Sequence, residues 1–263
     1  MENADHRNVD QIKERIATYW NGRAGQYDSH FGHGIFSDDE TRAWLNTLQK
    51  HLPHPAGVQV LDVGCGTGFL SLLMSRLGFQ VTGVDFSHEM MGEAARKAAD
   101  QELQITWLHG DAESPPVPPH QFQAVVSRHL LWTLPSPETA LIHWKNLLPP
   151  GGRVIVIDGI WTPRTPYAKA MSYVAATVSR IKGQRRNGSW EREYLRDPGD
   201  LPFMGGAEPD AVVQLFRQVG LADIQVDPMA EVIRCEKKIA PLEHRLRYAL
   251  GQTRYLISGV NPA

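Results

Sequence analysis

From residue 58 onward the apolar positions fall in short unbroken runs, and each run gives way to a stretch with helical spacing. The runs VQVLDVG, FQVTGVDF, QITWLHG, FQAVVSR and RVIVIDG are rich in β-branched residues, as expected of strands buried on both faces. Between them, GFLSLLMSRLG reads as a helix closed by Gly78, and SHEMMGEAARKAADQ as a helix capped by Ser87. SPETALIHWKNLLPPGG is a further helix with Ser136 as its expected cap. This alternation predicts a parallel sheet with helices on both faces. Upstream, residues 9–20 place Ile12, Ile16 and Tyr19 or Trp20 on one helical face. Residues 21–39 read as loop, and residues 40–52 as a second helix stopped by the Pro and Gly of HLPHPAG. After Asp158 the alternation breaks. PDAVVQLFRQVG still reads as a helix, and ADIQVDP and RYLISGV as strands. Residues 161–207 and 230–250 are too polar for a core of their own and are expected as insertions over one end of the sheet.

The first strand runs into Asp62-Val63-Gly64-Cys65-Gly66-Thr67-Gly68, directly before a helix. Glycines are required where the chain turns with positive φ or where a ligand must touch backbone. In an open parallel sheet this loop faces the ligand crevice at the carboxyl ends of the strands. The spacing is neither the dinucleotide GxGxxG nor a P-loop, because GK[ST] is absent. Asp85 ends the second strand about 20 residues on, where a carboxylate accepts both ribose hydroxyls. Asp111 follows the third strand, where a carboxylate can bond an adenine amino group. The set suits an adenosine ligand and needs no pyrophosphate. Asp85 as a helix cap and Asp111 as a turn residue are the plainer alternatives.

VLDVGCGTGFLS, VTGVDFS, HGDAES and LLPPGGRVIVIDG, in that order, resemble the successive motifs of class I S-adenosylmethionine-dependent methyltransferases, over about residues 55–160 and again in the terminal strand. The chain is most similar to the small-molecule, ubiquinone-biosynthesis-like branch, methyltransferase type 11. The resemblance implies an α/β fold: a doubly wound, Rossmann-like sheet of seven strands, the last antiparallel, with an N-terminal helical lid and a cap insertion. It divides the chain into a lid segment, residues 1–54, and a methyltransferase domain, residues 55–263. It implies S-adenosylmethionine as cofactor. Gly64 and Gly66 would lie against its methionine part, and Asp62 would orient the loop and reach the amine through water. Asp85 would bind the ribose, Met90 would pack near the adenine, and Asp111 and Ala112 would meet its edge. Arg128 belongs to the same cofactor-binding set. Tyr19, Arg23 and Tyr27 resemble the branch's lid, with Tyr27 near the sulfonium and Arg23 near the methionine carboxylate. An amphipathic helix docked on the sheet edge is the alternative.

The acceptor is read from the residues just beyond the fourth strand. Enzymes that methylate adenine or glutamine amides carry Asn/Asp-Pro-Pro-aromatic there, whereas this chain has Ser127-Arg128-His129-Leu130-Leu131-Trp132. Metal-dependent catechol-type enzymes need acidic ligands beside Asp158 that are missing, and His30 and His33 lack a third ligand, so no metal is expected. His129 is the candidate catalytic base for a phenol, thiol or acidic carbon; a purely structural role is the alternative. The insertion's Trp161, Tyr167, Met171, Tyr173, Trp190, Phe203 and Met204 suit an apolar, ring-containing small-molecule acceptor. Its Arg180, Lys182, Arg185 and Arg186 read as a solvated turn beside Glu191, Glu193 and Asp197.

Composition narrows the rivals. With 263 residues, 42% of them hydrophobic, the chain can bury a sizeable core. A net charge of −2 gives no reason to expect nucleic acid as partner, which disfavours an RNA methyltransferase. Two cysteines exclude a disulfide framework, and no apolar stretch is long enough for a membrane span, so a cytoplasmic protein is expected. A protein methyltransferase, a non-catalytic cofactor-binding regulator and a dinucleotide-dependent oxidoreductase remain as alternatives.

Overall fold

Seven strands form one sheet in the order β3-β2-β1-β4-β5-β7-β6 in the computed structural model, which describes residues 2–160, 166, 201–249 and 253–262. β1 (Gln59–Val63), β2 (Gln80–Asp85), β3 (Ile105–His109), β4 (Ala124–Arg128) and β5 (Arg153–Ile160) are parallel. β7 (Thr253–Val260) slots between β5 and β6 (Ala222–Asp227), antiparallel to both. The order reverses between β1 and β4, which opens a crevice at their carboxyl ends.

The period-2 alternation divides the core. Val60, Val81, Val126, Ile155, Ile157 and Leu256 face α2 (Asp38–His51), α3 (Phe69–Arg76) and α7 (Ala230–Ile239). Leu61, Val63, Val125, Val154, Val156 and Ile257 face α5 (Pro137–Asn146) and α6 (Pro209–Gln218). Trp44 of α2 and Trp144 of α5 are fully buried, one on each side; such a side chain contributes ~3–5 kcal/mol against truncation to alanine. Ser37 starts α2 as its cap, accepting Glu40 N–H at 3.1 Å, and Glu40 accepts Phe36 N–H at 3.0 Å in return. Ser87 starts α4 (His88–Asp100) by accepting Met90 N–H at 3.1 Å.

Several expectations are corrected. The first helix, α1, runs Glu2–Asn21, and the expected loop after it contains a 3-10 turn, Ala24–Ser29. Ser136 does not cap α5 with its side chain; its N–H donates instead to Glu113 at 2.5 Å. The boundary at residue 54 separates elements that pack together, since α2 lies in the core with α3. The stretch 230–250, expected as an insertion over one end of the sheet, contains α7 (Ala230–Ile239), which buries Val232 in the core beside α2, and α8 (Leu242–Ala249). Trp161, Tyr167, Met171, Tyr173, Trp190 and the basic residues 180–186 lie outside the described residues. The described end of that segment does reach α1, where Leu201 and Met204 pack with Ile12, Ile16, Tyr19, Trp20 and Trp132. Among the described residues no helix is long and apolar enough to cross a membrane.

Candidate functional site

The glycine loop is shaped by two bare positions. Gly64 (φ +66°) and Gly66 (φ +53°) are left-handed, a conformation costly to residues with a Cβ. A Cβ on Gly64 would strike Leu130 at 2.7 Å, whereas a Cβ on Gly66 would point into open space. The N–H groups of Gly64 and Cys65 both donate to Val84 O, at 2.8 and 3.0 Å, which fixes the loop to the next strand. Asp62, buried at the end of β1, accepts the N–H (3.0 Å) and O–H (2.5 Å) of Ser71. Burial pushes its carboxyl up to about 7 although both Ser71 bonds favour the anion.

The two further carboxylates stand at adjacent strand tips. Asp85 accepts Gly66 N–H at 2.7 Å through Oδ2 and Ser87 N–H at 2.8 Å through Oδ1. Helix capping falls to Ser87, so Asp85 is not the helix cap. Burial raises the Asp85 pKa against those backbone bonds. Asp111 is indeed a turn residue, accepting Glu113 N–H at 2.9 Å, but its other oxygen meets Lys13 Nζ at 2.7 Å.

That lysine belongs to a strap. α1 and the segment after it cross the crevice and are tied to the loops after β1, β2 and β3 and to Arg128 at the end of β4. Asp28 accepts the Thr67 hydroxyl at 2.6 Å and pairs with Lys97 at 2.5 Å. Asn21 accepts the Ser87 hydroxyl at 2.6 Å. Lys13 reaches Asp111 and Glu113 at 2.7 and 2.6 Å. Arg128 donates to the carbonyls of Gly32 (2.6 Å) and His33 (3.4 Å).

Beneath the strap lies a cavity of about 730 Å³ including the open space at its mouth. Of the residues singled out in the sequence, Tyr27, Gly64, Gly66, Asp85, Met90, Asp111, Ala112, Arg128 and His129 line it. Asp62 lines an adjoining lobe of about 290 Å³, which shares Tyr27, Gly64, Gly66 and Arg128 with the main cavity. Tyr19 and Arg23 line neither. They pair with each other at the end of α1, the Arg23 guanidinium from the turn beyond the helix stacked 4.2 Å from the Tyr19 ring centre. The face of α1 turned to the cavity carries Lys13, Ile16 and Trp20 instead. Their i, i+3, i+7 spacing was available in the sequence; a lysine there simply reads as solvated.

The deep end is electropositive. Arg128 is buried, its guanidinium 3.7 Å from the Phe69 ring centre, and no carboxylate among the described residues forms an ion pair with it. Its Nε is buried without a hydrogen-bond partner among the described residues. Burial, reinforced by Arg254, pushes its pKa down to about 10, so it stays charged at neutral pH. An unpaired buried cation on a cavity wall calls for an anionic group. With Asp62 beside it, the lobe matches the carboxylate and ammonium of an amino acid, and the carboxylates of Asp85 and Asp111 match the hydroxyls and amine of adenosine. His129 also lines the cavity, in a left-handed backbone conformation (φ +55°) held by its N–H to Ile157 O at 2.8 Å. Burial and the nearby Arg128 and Arg254 hold its imidazole pKa well below the ordinary range. The imidazole is therefore held neutral, with weaker basicity than an exposed histidine. Tyr27, 4.4 Å from the His33 ring, has its phenol pushed up to about 12 by burial.

Comparison with known proteins places this geometry. Residues 61–156 match the family model described as methyltransferase domain. The ubiquinone/menaquinone biosynthesis C-methyltransferase UbiE of Desulfotalea psychrophila is 33% identical over 208 residues, covering 76% of this chain and 80% of that protein. The demethylmenaquinone methyltransferase of Staphylococcus saprophyticus is 26% identical over 222 residues, covering 81% and 91%. In fold, the chain is similar to Haemonchus contortus phosphoethanolamine N-methyltransferase 2, solved with phosphomonomethylethanolamine and S-adenosylhomocysteine. That likeness has a TM-score of 0.66 at 18% identity, over 96% of this chain and 60% of that one. Geranyl diphosphate C-methyltransferase of Streptomyces coelicolor has the same fold, with a TM-score of 0.56 at 17% identity over 95% and 98% of the two chains.

Proposed function

Because this chain belongs to the class I S-adenosylmethionine-dependent methyltransferases, we propose that the cavity under α1 holds the methyl donor and offers its methyl group to a small, largely apolar, ring-containing acceptor. The observation that carries this reading is the pairing of the open face at Gly66 with the Asp85 carboxylate, fixed by that residue's own N–H. Asp85 accepts the ribose hydroxyls. Asp111 and the backbone of Ala112 meet the adenine edge, and Met90, nearly fully buried, packs beside the base. Arg128 holds the donor's carboxylate, and Asp62 orients the loop near its ammonium. Trp20 and Tyr27, 5.6 Å apart between ring centres, put aromatic surface beside the positive sulfur. When bound, the donor supplies a methyl group already activated on that sulfur. The chain therefore contributes positioning and exclusion of water, for which the strap and the buried loop are built. α1 with its 3-10 turn serves as the lid. The apolar wall of Leu130, Leu134 and Pro135 supports an apolar acceptor, and the relatives' names point to quinone rings.

The test pairs calorimetry with S-adenosylhomocysteine and a labelled-methyl assay on demethylated quinones and a metabolite extract. Binding together with a methylated product supports the reading. Binding without transfer to any acceptor makes the protein a cofactor-binding module, and no binding removes the cofactor assignment.

His129 is assigned to the acceptor side, as the base or the group that orients the nucleophile. Asparagine tolerates its left-handed backbone, so His129→Asn isolates the ring. Turnover is expected to fall about 10²-fold with S-adenosylhomocysteine affinity kept. Because the imidazole pKa is depressed, the wild-type kcat should stay level as pH falls through 6.5 and drop only at more acidic pH. Full turnover in His129→Asn ends its candidacy.

A further inference from the structure

Lys13 is half-buried on α1, and its ammonium sits between two carboxylates, 2.7 Å from Asp111 Oδ2 and 2.6 Å from Glu113 Oε2. It also lines the cavity, beside Asp111 and Ala112. Neither carboxylate is loose. Asp111 Oδ1 accepts Glu113 N–H at 2.9 Å, and Glu113 Oε1 accepts Ser136 N–H at 2.5 Å. The Glu113 side chain is 6% exposed, so its charge has little water to screen it. The Lys13 ammonium thus bridges the two carboxylates and fixes how they stand relative to each other. Burial alone would lower the Lys13 pKa, but the bonds to Asp111 and Glu113 raise it above the ordinary value.

We propose that Lys13 is a positioning residue for base recognition: by bridging Asp111 and Glu113 it holds the Asp111 carboxylate aimed at the cavity, so that the site reads an exocyclic amine. This rests on the adenosine reading of the site given above. An ionised carboxylate is acceptor-only. It welcomes the amine of adenine and opposes the carbonyl oxygen that replaces that amine in hypoxanthine. Without Lys13, the two carboxylates repel each other across a half-buried gap and Asp111 turns away from the base. A carboxylate that has swung away neither accepts the adenine amine nor opposes a carbonyl. Lys13 lies on α1 with Ile16 and Trp20, so the helix that covers the cavity also positions the carboxylate that reads the base.

The test titrates wild type, Lys13→Met, Lys13→Gln and Lys13→Arg with S-adenosylhomocysteine and S-inosylhomocysteine, with thermal unfolding to register folding. Wild type should prefer the adenosyl ligand by about a hundredfold. In Lys13→Met, adenosyl binding should weaken about tenfold or more with inosyl binding little changed, so that the ratio collapses. Lys13→Gln keeps the length without the charge and should collapse the ratio too, which covers the case where Lys13→Met fails to fold. Lys13→Arg should keep most of the preference. If both ligands weaken equally, or the ratio stays at its wild-type value, Lys13 merely fastens α1 and the proposal falls. If wild type binds neither ligand, it is the cofactor reading itself that fails.

Discussion

Asp85→Ala is expected to weaken S-adenosylhomocysteine binding by at least about a hundredfold, the largest functional loss of any single substitution in the site. A carboxylate holding two hydroxyls makes two charge-assisted hydrogen bonds, each ~1.5–3 kcal/mol, and ~3 kcal/mol is already more than a hundredfold in Kd. The same residue also accepts Gly66 N–H and Ser87 N–H, so alanine loosens the glycine loop that the ligand lies against. The loss should not be one of folding. Asp85 closes β2 at a strand tip, and the apolar core beneath it, Val84 included, is untouched. Calorimetry should therefore show lost binding while the circular dichroism spectrum stays as in wild type. In the wild-type enzyme, affinity should fall as acid protonates this carboxylate. Burial raises its pKa, so the fall begins at higher pH than for an exposed aspartate. Unchanged affinity in Asp85→Ala would remove the ribose assignment and, with it, the orientation proposed for the ligand.

Much of this architecture was legible because its determinants are local. Strands buried on both faces read as unbroken apolar runs, Ser87 caps the helix it precedes, and the left-handed turns of Gly64 and Gly66 demand glycine. The carboxylates of Asp62, Asp85 and Asp111 follow from their places at strand tips. What escaped depends on contacts between residues distant in sequence. Lys13 finds Asp111 across 98 positions, and Arg128 finds Gly32 across 96. No periodicity announces either contact, and a lysine on an amphipathic helix reads as solvated. A family pattern names residue types and so points to Tyr19 and Arg23, whereas the helical phase turns Lys13 and Trp20 towards the cavity. The depressed pKa of His129 was equally invisible. It arises from burial beside two arginines, one of which, Arg254, lies in the last strand.

Glu236→Leu should be the most destabilising single change outside the apolar core. Glu236 of α7 is 1% exposed and binds the Arg254 guanidinium through one oxygen and the Tyr248 hydroxyl through the other. Arg254, itself 4% exposed, would be left as an uncompensated buried charge, which costs ~3–5 kcal/mol. In a chain of this size that is a fall in Tm of about 10 °C. Glu236→Leu combined with Arg254→Met separates the charge account from a simple packing account. Replacing both members with apolar residues of similar volume is often nearly neutral, so the double variant should be more stable than Glu236→Leu alone. The pair also reaches the site. Arg254 Nη2 donates to Gly32 O at 3.2 Å, and the same carbonyl accepts Arg128 Nη2 at 2.6 Å. The double variant should therefore regain stability but bind S-adenosylhomocysteine more weakly than wild type, because Arg128 alone then anchors the strap at this carbonyl. A double variant as unstable as the single one would show that Glu236 is held for its packing and that its charge contributes little.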